Sequence, residues 1–430
     1  MNANLKATYA KYVSLNILGM VGLSCYILAD TFFIAKALGT TGLAALNFSI
    51  SIYSAMHGLG LMLGIGGATH FSISKKDGTS FSHTVFLGAV FAFLLVLTGL
   101  FFTTPLSRML GADDVTLPLT RIYLSTILVF SPCFIFNNIL LAFVRNDENP
   151  RLSTIAMLCS SISNILLDYI FLFPLSLGMF GAAFATGISA LLSLFVLSLH
   201  FFKKKQHFHL VRCRLHFKTF LRLCSYGFSS FIGELASSVS LIVFNLIIFH
   251  LEGNIGVAAY GIIANVALIV SSIFNGISQG QQPLASTNYS RGDTGSLQKV
   301  LTFSLSTAAL FSIVTYAFLS CFAAPVIQVF NSESDLHLFQ LAKRGISLYF
   351  TGYFFASINI VSIAFFSAIS RPKYALLLSL LRSCILLIPA AFLCSALFQM
   401  DGVWISFPVT EFFVFLLTLK FLLKFILNYS

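Results

Sequence analysis

Apolar runs of about twenty residues or more recur along the chain, broken by short polar or basic stretches. A membrane-spanning helix needs about 20 mostly apolar residues. Twelve segments meet that length: 12–36, 43–73, 84–104, 118–144, 152–173, 179–202, 219–250, 255–287, 298–321, 338–368, 374–396 and 402–426. Several exceed the minimum, which leaves room for tilt or for extension past the bilayer. The expected fold is all-α and integral to a membrane, with twelve transmembrane helices.

The breaks between the runs set an orientation. With the N-terminus inside, the inner segments carry Lys6, Lys11, Lys75, Lys76, Arg145, Arg151, Lys203, Lys204, Lys205, Arg212, Arg214, Lys218, Arg222, Arg291, Lys299, Arg371, Lys373, Lys420 and Lys424. The outer loops and adjoining helix ends carry Lys36, Arg108, Arg121, Lys343 and Arg344. This imbalance predicts both termini in the cytoplasm of a multi-pass protein of the plasma (inner) membrane. An odd helix count would scramble the alternation. Lys6 and Lys11 before an apolar run also resemble a secretory signal, but no small-residue cleavage site follows, so the run reads as the first span.

Composition agrees with a lipid solvent. Of 430 residues, 57% are hydrophobic and 9% charged, against roughly 25% charged in a soluble domain. The net charge of +11 would otherwise point to nucleic acid, but the bases sit in short loops as topology signals. The eight Cys residues are scattered, Cys213 among them, with no C-x-x-C. They read as small apolar residues, with neither a disulfide framework nor a zinc site. The longest basic stretch, 203–222, lies at the midpoint as a cytoplasmic linker that attracts anionic lipid. His207, His209 and His216 within it are a weak metal signal, because no acidic or Cys partners stand at ligand spacing.

The second half echoes the first. Gly39-Thr-Thr-Gly-Leu-Ala-Ala recurs as Gly253-Asn-Ile-Gly-Val-Ala-Ala, offset by 214 residues. Asn149-Pro-Arg-Leu is echoed by Arg371-Pro-Lys-Tyr, and Phe180-Gly-Ala by Asp401-Gly-Val. Six helices per half is an even number, so the halves enter the membrane the same way round. The expectation is two parallel, pseudo-symmetric six-helix lobes with a central cleft: an N-lobe over 1–202, an inter-lobe linker over 203–218 and a C-lobe over 219–430. That organisation suits alternating access.

Ionisable residues within the spans are few, and such groups are expensive and mostly functional. They are Asp30, Asp168, Glu234, Arg382 and Glu411. Asn164 and Asp168 stand four apart on one helix face, and Thr186 lies in the sixth span. Asp30, Asn164, Asp168 and Thr186 offer oxygen donors only, the chemistry that binds Na⁺. Two carboxyls in a poorly solvated pocket equally suit a proton, so both ions stay open. Glu234 is the lone carboxylate of the seventh span, for cargo binding or second-lobe coupling. Glu411 reads as structural, with Arg382 available to neutralise it. Gln279, Gln281 and Gln282 form the second half's polar counterpart to the glycines of the second span. Those glycines (Gly58, Gly60, Gly64, Gly66, Gly67) read as close packing or flexibility. No His-Glu-x-x-His, G-x-S-x-G or Walker loop occurs, so an enzyme is not expected. Energy is then expected from an ion gradient. One charge crossing about 100 mV is worth about 2.3 kcal/mol, enough for roughly 50-fold accumulation.

The chain resembles the multidrug and toxin extrusion (MATE) family, in particular its bacterial multidrug-efflux branch. The resemblance rests on Leu28-Ala-Asp-Thr-Phe-Phe-Ile-Ala, Leu43-Ala-Ala-Leu-Asn, Asn146-Asp-Glu-Asn-Pro, Asn164-Ile-Leu-Leu-Asp168, Gln279-Gly-Gln-Gln-Pro and Gly402-Val-Trp-Ile-Ser-Phe-Pro. It implies Na⁺- or H⁺-driven export of organic cations. It also implies a first-lobe coupling cluster at Asp30, Tyr123, Asn164, Asp168 and Thr186, and an acidic residue at Glu234. Two departures stand out. The first proline is Pro105, so a proline kink in the first span is excluded and Gly19 and Gly22 become the expected soft points. The acidic residue that some members carry in the tenth span is also missing, with Asn359 as a neutral candidate. The expected function is a Na⁺- or H⁺-coupled antiporter for small organic cations, monomeric, with membrane lipid as its surroundings, no nucleic acid partner and no cofactor beyond the coupling ion. The rivals are a lipid-linked oligosaccharide or lipid flippase of the same superfamily, expected to need a more basic cavity, and a channel or membrane enzyme.

Overall fold

The computed structural model describes residues 2–74, 78–202, 206–212, 214, 216–330 and 335–429. Lys75, Lys76, Lys203, Lys204, Lys205 and Cys213 lie outside the described residues. Among the described residues the chain is helical and has no strand.

Twelve spans emerge once each continuous helical run is divided at its turns. Asn2–Ile73 turns at Gly39 (φ 64°, ψ −156°), giving spans 1 and 2. Span 3 is Thr79–Phe101, and a short helix, Thr103–Met109, follows it. Span 4 is Leu117–Val129 with Ser131–Asn146, bent by 48°. The bend falls where Pro132, in the first turn of the second piece, has no N–H to continue the helix. Spans 5 and 6 are Pro150–Leu172 and Gly178–Ser198, the latter prolonged by a 3₁₀ turn, Leu199–Phe202. Phe217–Arg291 turns at Gly253 (φ 60°, ψ −146°) into spans 7 and 8. Span 9 is Thr294–Cys321, trailed by the short helix Ala323–Phe330. Span 10 runs over Leu336–Tyr349 and Tyr353–Ala368. Span 11 begins at Pro372, and Leu387–Tyr429 turns at Gln399 (φ 52°, ψ −127°) to separate it from span 12.

The sequence repeat is a backbone repeat. Gly39 and Gly253 share one left-handed conformation, open essentially to glycine alone. Positive φ recurs at Glu148 and Ser370, just before the matching Asn149-Pro and Arg371-Pro, and again at Gly178 and Gln399. Gln399 holds with a side chain what glycine holds at its counterpart.

Packing forms two compact units, residues 18–235 and residues 1–17 with 236–430. The division therefore falls within spans 1 and 7, whereas the sequence repeat divides at the linker. Glycines show why. In the 18–235 unit, span 7 lies backbone to backbone on span 2: a Cβ at Gly227 would stand 1.9 Å from the Met62 carbonyl oxygen, and one at Gly66 2.1 Å from that of Leu223. In the other unit the start of span 1 lies on span 8 in the same way, with Gly276 against Ile17 and Gly280 against Val13. Gly60, Gly64 and Gly67 also receive neighbouring helices, so this stripe serves close approach. Gly19 and Gly22, expected as soft points of span 1, instead pack against Met157 and Leu158 of span 5. The φ/ψ break in that run is at Gly39.

The linker is anchored on the 18–235 unit. Phe208 is fully buried among Phe71, Phe81, Phe143 and Phe201, with the His200 ring stacked on it at 5.3 Å. The buried Asp147 carboxylate accepts from the His207 backbone N–H (3.0 Å) and pairs with His207 Nδ1 (2.6 Å) and His200 Nε2 (2.9 Å). Burial alone would raise its pKa, but the hydrogen bonds from the two histidines outweigh burial and hold it below the usual carboxylate value. His207 thus serves this anchor. Among the described residues no group of three His, Cys, Asp or Glu is arranged to hold a metal.

Two outcomes follow for stability. A carboxylate whose pKa is lowered on folding stabilises above its unfolded pKa, and this contribution is lost as pH falls through the folded value. The linker anchor is therefore expected to hold above about pH 4 and to release below it. Asp147→Ala should release it at neutral pH, read as faster tryptic cleavage at Arg212 and Arg214. Gln399→Gly should relieve strain of about 1 kcal/mol, read as a higher midpoint of thermal unfolding in detergent.

Candidate functional site

The chemistry of the 18–235 unit collects where spans 1, 4, 5 and 6 meet. Asp30, Asn164, Asp168, Thr186 and Tyr123 are all buried there. Asn164 and Asp168 share a face of span 5, as their spacing predicts. The Asp30 and Asp168 carboxyls adjoin each other, and Tyr123 lies in the field of both. Asn164 donates from Nδ2 to Thr186 Oγ1 (3.3 Å), and Thr186 in turn donates to the Ala182 carbonyl (3.1 Å). The amide nitrogen is thereby occupied, and the amide oxygen is left over.

The unoccupied acceptors define the site. Asp30 Oδ1, both oxygens of Asp168 and Asn164 Oδ1 are buried and receive no hydrogen bond from the described residues. Buried polar atoms are ordinarily satisfied, and two unneutralised carboxylates side by side repel. A proton shared between the carboxyls would satisfy two of these oxygens and relieve the repulsion, and a hard cation could be held by all four. The residues present therefore fit either a proton or Na⁺.

Sequence reading missed a second row of polar groups beside this cluster. Tyr26 and Tyr53 face each other hydroxyl to hydroxyl at 3.2 Å. The His57 ring stacks on Tyr53 at 6.0 Å with an interplanar angle of 3°, and His57 Nδ1 stands 3.6 Å from Glu234 Oε2. The signal was present as helical spacing: Tyr26 is one turn before Asp30, and Tyr53 one turn before His57. Glu234, read from the sequence with the second half, belongs by packing to the 18–235 unit. Gln279, Gln282 and Asn359 belong to the other unit.

In that other unit Asn359 joins a saturated network. Arg382 donates to Glu411 Oε1 from Nε (3.0 Å) and Nη2 (2.6 Å), Asn359 Nδ2 donates to Glu411 Oε2 (2.7 Å), and Thr418 donates to Asn359 Oδ1 (2.8 Å). Arg382 reaches Glu411 from a π-helical turn, Leu381–Ile385, a local widening that re-aims a side chain. Gln279 and Gln282 lie on span 8 ahead of Pro283, Gln282 buried, and Gln281 donates to the Val361 carbonyl at 2.6 Å.

Twelve apolar spans in a repeated bundle, with unneutralised carboxylates inside, define a multi-pass helical membrane transporter. The MatE family model matches residues 16–170 and 230–393, and the chain belongs to that family. It is 25% identical over 394 residues to the multidrug export protein MepA of Staphylococcus saprophyticus, covering 90% of this chain and 86% of that protein. Among solved structures it superposes on a MATE protein in complex with MaL6 with a TM-score of 0.93 at 20% identity, covering 99% and 97% of the two chains. It superposes on the MATE multidrug transporter DinF-BH with a TM-score of 0.89 at 26% identity, covering 97% and 95%.

The saturated network gives a stability test. Arg382→Leu leaves Glu411 as an unpaired buried charge and is expected to destabilise by about 3–5 kcal/mol, whereas Arg382→Leu with Glu411→Leu recovers most of the loss. Thermal unfolding in detergent reads the difference.

Proposed function

We propose that this protein is an antiporter that exports organic cations across the plasma membrane by alternating access, with both termini in the cytoplasm, driven by H⁺ or Na⁺. The observation that carries the reading is the set of unsatisfied oxygens on Asp30, Asp168 and Asn164. Acceptors that no described residue neutralises suit an ion that arrives and leaves. Binding it relieves the repulsion between the two carboxyls, and releasing it restores that repulsion. The cycle so gains two states of different charge at a fixed place. Thr186 holds Asn164 in position, and Tyr123 adds a polar wall.

The activity of the relatives supports the cargo class: MepA is a multidrug export protein, and DinF-BH is a multidrug transporter. The electrostatics of the spans support a cationic cargo. A carrier of lipid-linked phosphates calls for free cationic groups within the bundle, and Arg382 is taken up by Glu411. Among the described residues no Lys or Arg pairs with Asp30, Asp168 or Glu234, and the group beside Glu234 is the His57 ring, 3.6 Å away.

The test is movement of ethidium in proteoliposomes under an imposed H⁺ or Na⁺ gradient. Wild type is expected to move ethidium under one of the two, which identifies the ion. Asp30→Asn and Asp168→Asn are each expected to fall to the level of protein-free vesicles, with folding checked by a monodisperse elution profile. Undiminished coupling in both variants would overturn the reading.

A further inference from the structure

Glu234 is the acidic group best placed to meet a cationic cargo. Its side chain keeps 35% of its exposure, and the histidine beside it keeps 20%. The neighbourhood is built tightly. Gly58 brings span 2 so close to span 7 that a Cβ there would stand 3.2 Å from the Glu234 Cβ and 3.0 Å from the Phe231 ring. His57, the preceding residue, is thereby fixed with Nδ1 3.6 Å from Glu234 Oε2, within ion-pair range. Its other support is the flat stack on Tyr53, and Phe134 meets Tyr53 edge-on at 6.0 Å. The imidazole therefore has a set position beside the carboxylate.

Histidine is the side chain whose charge changes between pH 5 and 8. Neutral, it leaves the Glu234 charge available. Protonated, it is itself a cation beside that carboxylate. The other titratable groups around it are the Tyr53 phenol, which lies in the fields of Glu234 and Asp30, and beyond it Tyr26, Tyr123 and Asp168. None of these supplies a positive charge, so the protonated ring finds its counter-charge in Glu234.

We propose that His57 is a built-in rival of the cargo for Glu234, and so sets which cations bind and at what pH. A proton taken up at His57 places a tethered cation on the Glu234 carboxylate, and a bound organic cation loses its partner there. Loss of the proton reopens the site. The site's ligand class is accordingly a flat or bulky monovalent organic cation, held by one carboxylate with the Phe231 ring beside it. The inference rests on the cationic-cargo reading above, and it concerns cargo release. The Asp30–Asp168 cluster remains the place of ion coupling.

The test measures equilibrium binding of ethidium and of tetraphenylphosphonium to the full-length purified protein between pH 5.5 and 8. For wild type the dissociation constant is expected to rise about fivefold or more on acidification across the histidine range. In His57→Gln and His57→Asn the ratio between the two pH values should approach one. His57→Lys, charged at both pH values, should bind weakly throughout, and Glu234→Gln should bind weakly without pH dependence. Agreement between the Gln and Asn variants separates the charge from packing on Tyr53. A wild-type pH ratio in both variants would overturn the role of His57 while leaving the exporter reading intact. Failure of wild type to bind either cation at pH 8 would instead remove the cationic-cargo reading, and this inference with it.

Discussion

A helix in lipid satisfies its own backbone, and nothing around it satisfies a stray side chain. That asymmetry governs this protein. Within the 18–235 unit it isolates the oxygens of Asp30, Asp168 and Asn164 as acceptors without donors, on helices that are otherwise apolar. Burying a charge without a partner is strongly unfavourable, so these atoms stand out from the rest of the unit. The other unit resolves the same constraint in the opposite way. Glu411 is matched there by Arg382 and Asn359 until neither carboxylate oxygen is left over, and Thr418 in turn satisfies the Asn359 oxygen. One cluster keeps open acceptors, and the other is closed.

The repeat supplies the frame that holds these clusters. Gly39 and Gly253 make the same reversal, and the turns near Asn149 and Arg371 make another matched pair. Glycines on spans 2 and 8 then let the beginnings of spans 7 and 1 approach to backbone contact. Close approach of helices in lipid depends on such small residues, because burial of apolar surface offers little drive there. The same contact sets Glu234 beside His57, so a packing device and a polar pair share one origin. The linker adds a third kind of anchor, one aromatic plug at Phe208 and one buried carboxylate at Asp147, on the 18–235 unit.

Much of this was legible in the sequence. Segment lengths and the sparse charge specified twelve spans, because lipid admits long apolar helices and few alternatives. The matched glycine motifs specified the repeat, because a positive φ is read directly from residue type. The spacing of Asn164 and Asp168 specified a shared face. These are local properties, governed by residues within a turn or two of each other.

Other features were decided only by the tertiary structure. Which carboxylate is satisfied depends on donors distant in sequence: Arg382 reaches Glu411 across 29 residues, and among the described residues no donor reaches Asp168. Placement of Glu234 in the 18–235 unit follows from the contact of span 7 with span 2, although its position in the chain points to the second half. Gly19 and Gly22 became packing sites because Met157 and Leu158 arrive against them. His57 was visible as a residue but not as a partner. Sequence thus determined the helices and their turns, which local backbone chemistry controls, and tertiary structure decided the neutralisation of each buried charge, which depends on groups brought together by packing.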